Sequence, residues 1–523
     1  MAGPASGCAY QRLFTALLHG WRIPLSAPPP PFARSNYKSA FEHSALVDEF
    51  VAAMVGRGSV VACADRPHIV APLGVVFRAT DVAKIKGRVV WDASIAGLNS
   101  ACPDWPFCYD SIPQAIRRSD RACWLATVDL SKFYTQLPTH PSFHRLLGFS
   151  WRGQYYCYTS IPFGLKLAPA FASSVSAAIA AMARARGIPV VCTYIDDFLL
   201  QGASAAACAS TLSRFLALLR QLGIAYGPEK ISGPGQVVTF LGFRVDTLRA
   251  EISMDPSKAT KLRVAVSAAA ATPKSLAWLE SLAGRLAWFS SVAANIRPEL
   301  SAVYSCISAA RQHGHASLEH AAATRLHAAI TLASQSPEPI WCWRAPRPSV
   351  LLRTDASGDV GYGGHVGLRA FARAWRPSWA SCRSMTAREL WPVAEALRLW
   401  PFLFRHRVAV IAMDNSSAVF ALCRFSSQCP RARRIIRLII SRCRALHCSI
   451  VPCHLPRLHN TVADALSRFP FSWSGSIPHS HADSRGTMAV SHAVDALTQL
   501  RHGAAVRRVL PRPRSSTVAP IGG

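Results

Sequence analysis

Acidic side chains are scarce in this 523-residue chain: 28 Asp and Glu stand against 58 Lys and Arg, a formal net charge of +30. Such an imbalance points to a polyanionic partner, nucleic acid above all. No run of eighteen apolar residues is uninterrupted. The longest candidate, 177–200, is broken by Arg184, Arg186, Asp196 and Asp197, so no membrane span is expected. The first twenty residues lack a basic start followed by an apolar stretch, and no secretory signal is expected. The sixteen cysteines contain no CxxC pair. Cys443, His447, Cys448, Cys453 and His454 come nearest to a metal set, but their spacings match no familiar zinc site, and ordinary buried thiols are the other reading. Scattered thiols fit a reducing compartment, so an intracellular protein of the cytoplasm or nucleus is expected. Half the residues are apolar, enough to build cores rather than a disordered chain. At ~150 residues per domain the length suggests three or four domains.

Residues 1–43 read as an N-terminal extension that includes the stiff run Pro28 to Pro31. Ser44 is placed to cap a helix with apolar pairs at Leu46/Val47, Phe50/Val51 and Met54/Val55, stopped by Gly56. Short β-branched runs alternate with helical stretches over 44–250, an α+β pattern. Residues 251–333 look helical, with Leu276, Leu279, Ala283 and Leu286 on one face and Pro273 in a first turn. A proline-rich stretch at 334–349 reads as a linker. A second α+β block covers 350–468. The tail, 469–523, is rich in Ser, His, Arg and Pro and is expected to be disordered.

Because acids are few, their placement is informative. Asp196 and Asp197 lie side by side between the apolar runs 190–195 and 198–200. Two like charges at ~4 Å repel by about 4 kcal/mol at an effective dielectric of about 20. A solvated hairpin turn would tolerate them; a divalent cation would turn the repulsion into ligation. Asp129 ends the apolar strand 124–130, with Tyr134 five residues on. Together these three acids could hold two Mg²⁺ ions ~3.5–4 Å apart, the clamp for in-line displacement at phosphorus.

The segment Tyr194-Ile195-Asp196-Asp197 resembles the Tyr-x-Asp-Asp signature of reverse transcriptases, and five further segments follow that family's order. Lys84 to Asp92 is similar to the fingers segment gripping the nucleotide triphosphate, which implies that role for Lys86 and Arg88. Asp129 to Tyr134 resembles the first palm motif. Ile161 to Leu165, with Phe163 and Gly164, resembles the part packed against template and nucleotide. Gly227 to Lys230 and Phe240 to Phe243 resemble the last palm motif and the primer grip, at Leu241 and Gly242. Tyr134 is either a steric gate against a 2′-hydroxyl or an aromatic anchor at the strand end. The chain departs from the pattern at Lys132, where relatives carry an acid, at Ser94, where arginine is common, and in a longer 92–99 stretch.

Beyond the linker, Asp355 and Asp414 close apolar strands, Glu389 lies in a helix expected over 386–400, and His454, Asn460 and Asp464 follow. Each acid alone could be a strand-end solvation point. Pro392 would cost that helix about 3 kcal/mol, so a later helix start is the alternative. The set Asp355, Glu389, Asp414, Asp464 and His454 resembles ribonuclease H, which implies Mg²⁺-dependent cleavage of RNA, with Mn²⁺ as a substitute. Arg433, Arg437 and Arg444 share a helix face, read as solvated or as a contact to the hybrid duplex.

The resemblance implies an α+β multidomain chain: a right-hand polymerase with fingers, palm and helical thumb, followed by a ribonuclease H-like α/β domain. It implies an RNA template, a DNA primer, an RNA:DNA hybrid and dNTPs as partners. The wording of 36–58, 282–286 and 454–468 is most similar to DIRS-type retrotransposons, which implies further element-encoded partners such as a recombinase; a Ty3-like element stripped of its neighbours would read much the same. The competing hypothesis is a decayed or domesticated copy that only binds nucleic acid.

Overall fold

The computed structural model describes residues 13–78, 86–105, 107, 109, 110, 112, 115, 118–335, 338, 339, 349–469 and 472–476. Lys84, Ile85, the side chain of Lys86, most of the 334–349 linker and the tail beyond 476 lie outside the described residues. The chain divides into two compact units, Met1–Leu241 with Val245–Arg249, and Gly242–Arg244 with Ala250–Gly523. Among the described residues no helix is long and apolar enough to cross a membrane.

In the first unit, a five-stranded sheet has the order β1 (Phe32–Ala33), β3 (Ile69–Val70), β7 (Gly148–Trp151), β8 (Gln154–Tyr158) and β2 (Val60–Cys63), and a separate hairpin joins β4 (Leu73–Arg78) to β5 (Lys86–Trp91). The sheet that carries the acids has the order β11 (Ser232–Gly235), β6 (Trp124–Asp129), β10 (Asp197–Gly202) and β9 (Val190–Tyr194). Leu125, Ala126 and Val128 of β6 and Phe198, Leu199 and Leu200 of β10 are buried, the near-continuous apolar run of strands covered on both faces. Helix α1 (Ser44–Gly56) starts with Ser44 as its first residue and no side chain caps it, contrary to the capping role expected of Ser44. Helix α2 (Ala168–Ala185) packs on β9 and buries Phe171, Val175 and Ile179 among its alanines. Helix α3 (Ala205–Gln221) is capped by Ser204, whose hydroxyl accepts from Ala207 N at 3.1 Å.

Residues 13–43 are less of an appendage than composition suggests. Trp21 is 4% exposed and stacks on Phe171 at 4.5 Å. Ile23 is buried, and β1 joins the five-stranded sheet beside β3.

The second unit opens with α4 (Pro256–Ala271), α5 (Leu276–Phe289), α6 (Leu300–His313) and α7 (His320–Gln335). Pro273 falls in the connection between α4 and α5 rather than in a first helical turn. Glu338–Pro339 pairs with the strand Glu251–Met254, so part of the expected linker is sheet. Next comes a mixed six-stranded sheet of order β16 (Ser449–His454), β15 (Val408–Met413), β12 (Val350–Ala356), β13 (Gly361–Val366), β14 (Arg369–Ala374) and β17 (Trp473–Ser476). β15 runs parallel to β12 and β16, and the other pairs are antiparallel. Strand β17 extends the sheet beyond 468, into the segment whose composition predicts disorder. Helices α8 (Met385–Leu399), α9 (Ser416–Arg424) and α10 (Pro430–Ala445) share one apolar core with this sheet.

The α8 helix runs through Pro392 without a later start. Leu390, Val393, Ala394, Ala396 and Leu397 around it are buried, and this packing outweighs one missing backbone hydrogen bond. Between α5 and α6, Glu299 is buried and accepts from both Arg325 at 3.1 Å and Arg437 of α10. Arg433 donates to the carbonyls of Ser427 and Gln428. The α10 arginine face is therefore neither simply solvated nor free for a duplex: Arg437 is consumed by an internal ion pair.

Candidate active sites

Strand register builds the first site. Asp129, ending β6, lies directly opposite Asp197, beginning β10, and Asp197 also faces Tyr194 across the β9–β10 hairpin. Only Ile195 and Asp196 remain for the turn. Ile195 has φ of 52°, a left-handed conformation that costs a β-branched residue about 1–3 kcal/mol. Two contacts hold it: the buried Ser176 hydroxyl of α2 donates to the Ile195 carbonyl, and Leu130 N donates to the Asp196 carbonyl at 2.9 Å. Lys230 Nζ donates to both Asp129 oxygens, at 2.9 and 3.0 Å.

Burial, with the neighbouring Asp196 and Asp129 charges, pushes the Asp197 carboxyl up to about 7. Asp196 is also raised, first by burial and then by Asp129. These acids keep their charge poorly without added positive charge, which suits hard-cation ligands. The Asp129 carboxylate is engaged by Lys230, and the three acids do not bring their oxygens as close together as the second set described below.

Tyr134 is half-buried, edge-on to Phe163 with ring centroids 4.9 Å apart, and burial raises its hydroxyl pKa. Phe163 is 54% exposed. Gly164 has φ of 107°, and a Cβ there would sit 2.5 Å from the Trp91 carbonyl oxygen, so only glycine fits. Asn99 ties the 92–99 stretch to this segment: Nδ2 donates to the Gly164 carbonyl and Oδ1 accepts from Lys166 N. Asp92 accepts from Tyr37 Oη and from the backbone of Ser94 and Ile95. Arg88 is exposed on β5. Leu241 and Gly242 both have positive φ, 52° and 84°. Lys132, in place of an acid, also has positive φ, at 49°.

In the second set, Asp355 lies one residue before the end of β12, Glu389 sits in the second turn of α8 and Asp414 follows β15. Their ligand oxygens all lie within 4.8 Å of one another, and this is the one such group of His, Cys, Asp or Glu among the described residues. The Cys443–His454 set does not converge in this way. Glu389 is 3% exposed and its Oε2 has no hydrogen-bond partner. Burial, then Asp355 and Asp414, push Glu389 up to about 9; burial pushes Asp355 up to about 6. An orphaned buried carboxylate oxygen beside two more carboxylates is a donor set suited to Mg²⁺ or Mn²⁺.

Asp464 stands apart from that convergent group. It accepts from Arg457 at 3.1 Å and from Arg468 at 3.0 Å, and these arginines, Arg468 first, lower its pKa. Its helix, α11 (Thr461–Ser467), reaches the sheet because Gly363, opposite Asp355, has no side chain: a Cβ there would lie 2.4 Å from Leu466 Cβ. Asn460 is buried and donates to the Thr354 carbonyl at 3.0 Å. His454 is exposed, with Nε2 3.1 Å from the Asp414 carbonyl oxygen. Ser176, Arg457 and Arg468 had no assigned role in the sequence, and Lys230 entered it only as the end of the last palm motif. A lone serine in an alanine-rich helix is a faint signal, and ion-pair partners a hundred residues apart, as Lys230 and Asp129 are, leave none.

Residues 77–245 match the family model described as reverse transcriptase (RNA-dependent DNA polymerase). The chain is 23% identical over 250 residues to the Pro-Pol polyprotein of Simian foamy virus type 1, covering 46% of this chain and 20% of that protein. It is 28% identical over 120 residues to the Pro-Pol polyprotein of Feline foamy virus, covering 23% and 10%. The chain thus spans a fifth or less of these curated relatives. Its fold is similar to a foamy viral protease-reverse transcriptase solved with dsDNA (TM-score 0.50, 17% identity, 83% of this chain and 87% of that one). It is likewise similar to one solved with an RNA/DNA hybrid (TM-score 0.50, 16% identity, 88% and 64%). The paired strands and the Tyr-Ile-Asp-Asp turn lie inside the matched segment, so the part of the chain that carries the first acid set is the part similar to the reverse transcriptase family.

Proposed function

We propose that the chain is an RNA-directed DNA polymerase with ribonuclease H activity, encoded by a retroelement. The observation that carries the polymerase reading is the β6–β10 register, which sets Asp129 opposite Asp197 at a strained, doubly anchored turn inside the family segment. Asp129, Asp196 and Asp197 are the proposed metal-binding acids, with Asp355, Glu389, Asp414 and Asp464 as the second set. Bound Mg²⁺ would supply positive charge for the attacking oxygen and for the phosphate under displacement.

The chain's own residues do the positioning. The Ser176 and Leu130 hydrogen bonds hold the turn so that Asp196 is aimed before substrate arrives. Lys230, through its two hydrogen bonds, holds the Asp129 carboxylate in place when no other cation is near. Tyr134, braced by Phe163, stands as the gate against a 2′-hydroxyl, and Gly164 leaves room for close backbone packing. Lys86 and Arg88 are proposed to neutralise the triphosphate, Leu241 and Gly242 to hold the primer, and His454 to act at the hydrolytic site. The proposed partners are RNA template, DNA primer, hybrid duplex and dNTPs; the net charge of +30 supports a grip through phosphates that weakens with salt. The segments at 36–58, 282–286 and 454–468 support a DIRS-type origin, and a recombinase as a companion protein. Primer extension on an RNA template with Mg²⁺ tests the proposal: dNTP incorporation is expected, and binding of the primed template without incorporation would leave a nucleic-acid-binding copy.

A further inference from the structure

Cys63 ends β2, an edge strand of the five-stranded sheet, and Cys157 lies on its neighbour β8. In the antiparallel register, Cys157 is opposite Val61 and Cys63 is opposite Tyr155. The two cysteines are therefore diagonal neighbours on one face of the sheet. Their Sγ atoms are 2.9 Å apart and both thiols are free. A disulfide needs about 2.0 Å, so the sulfurs have to close by only about 0.9 Å. Cys63 is half-buried and within reach of a small oxidant, whereas Cys157 is 2% exposed.

We propose that Cys63 and Cys157 are a reversible oxidation site that peroxide converts to an intramolecular disulfide. Hydrogen peroxide oxidises the Cys63 thiol to a sulfenic acid, forming an S–O bond, breaking the O–O bond and releasing one water. The Cys157 sulfur then attacks the Cys63 sulfur; the S–S bond forms, the S–O bond breaks, and a second water leaves with the Cys157 proton. Cys63 is the sulfur that peroxide can reach, and Cys157, buried and already 2.9 Å away, is the one placed to close on it; burial raises the Cys157 thiol, so it must give up its proton as it attacks. Strand β8 leads directly into 161–165, the segment carrying Phe163 and Gly164. The link therefore staples the edge strand to the strand that feeds the polymerase site.

The test uses the full chain, reduced, freed of reductant, treated with hydrogen peroxide, alkylated in denaturant and digested without reduction. Mass spectrometry should find the Cys63 and Cys157 peptides joined, lighter by two hydrogens, and separated again by dithiothreitol. The rate of joining should be unchanged over a tenfold dilution of protein. In Cys157→Ser, dimedone should instead trap a sulfenic acid on Cys63. Recovery of both cysteines as alkylated thiols while exposed Cys423 oxidises would overturn the proposal. So would a link from Cys63 to another cysteine, or a joining rate that falls with dilution. The dilution series needs only the wild-type protein, so it decides the matter even if the variant does not fold.

Discussion

Glu389 links proton binding to metal binding, and the link has a predictable size. In the metal-free protein its carboxyl is pushed up to about 9 by burial and by Asp355 and Asp414, so it carries a proton at pH 7. An unfolded chain would have that group ionised above pH ~4.5. The folded state therefore holds one more proton than the unfolded state from there up to about pH 9. The Glu389 contribution to the stability of the metal-free protein should fall as pH rises through that window, by about 1.4 kcal/mol per unit, read as the difference between wild type and Glu389→Gln. A divalent cation entering the cluster must displace the same proton. Mg²⁺ affinity at this site should then rise about tenfold per pH unit between pH ~6.5 and ~8.5, since Asp355, pushed up to about 6, is already ionised there. Asp197, near 7, titrates in the palm, so the comparison is wild type against Glu389→Gln. Calorimetric titration with Mn²⁺ or Mg²⁺ in buffers of different ionisation enthalpy counts the protons released. The wild type should release about one more proton than Glu389→Gln at pH 7.5. Equal proton release, or affinity flat across that range, would refute the reasoning.

Three further outcomes follow from named contacts. Ser176→Ala leaves the Ile195 carbonyl short of its donor, which should cost about 1–3 kcal/mol and lower primer extension more than template binding, read by single-turnover kinetics beside filter binding. Tyr134→Ala should admit ribonucleotides while extension continues, measured as the ratio of rNTP to dNTP incorporation; an unchanged ratio would leave Tyr134 as an anchor. Glu299→Ala strips two arginines of a buried partner. Because those arginines are about a third exposed or more, the expected loss is about 2 kcal/mol, below the 3–5 of a fully buried pair, read by urea unfolding of the second unit.

The acids were legible because they break a rule that sequence displays well. A carboxylate closing an apolar strand, as at Asp129, Asp355 and Asp414, stands out whatever the fold. Their grouping was not legible from pattern alone; it came from motif order, and the β6–β10 and β12–β15 pairings supply its geometry. Composition misled at the edges. Trp21 sits in the core behind a proline run that looked like a tether, and Trp473–Ser476 joins a sheet edge because backbone hydrogen bonds there need no apolar side chains. The α10 arginines showed their common face by spacing, yet nothing local could reveal Glu299, 138 positions away. Pro392 argued for a broken helix, since propensity is local and the packing that overrides it is not.

The central claim is that one chain carries two separate carboxylate centres with different work. The most direct measurement places Asp196→Asn and Asp414→Asn on the same primed RNA template with Mg²⁺, following DNA extension and loss of the RNA strand together. Asp196→Asn should abolish extension while a preformed hybrid is still cleaved. Asp414→Asn should do the reverse: extension near wild type and an intact RNA strand. Loss of both activities from either single substitution, in protein that still binds the hybrid, would contradict it.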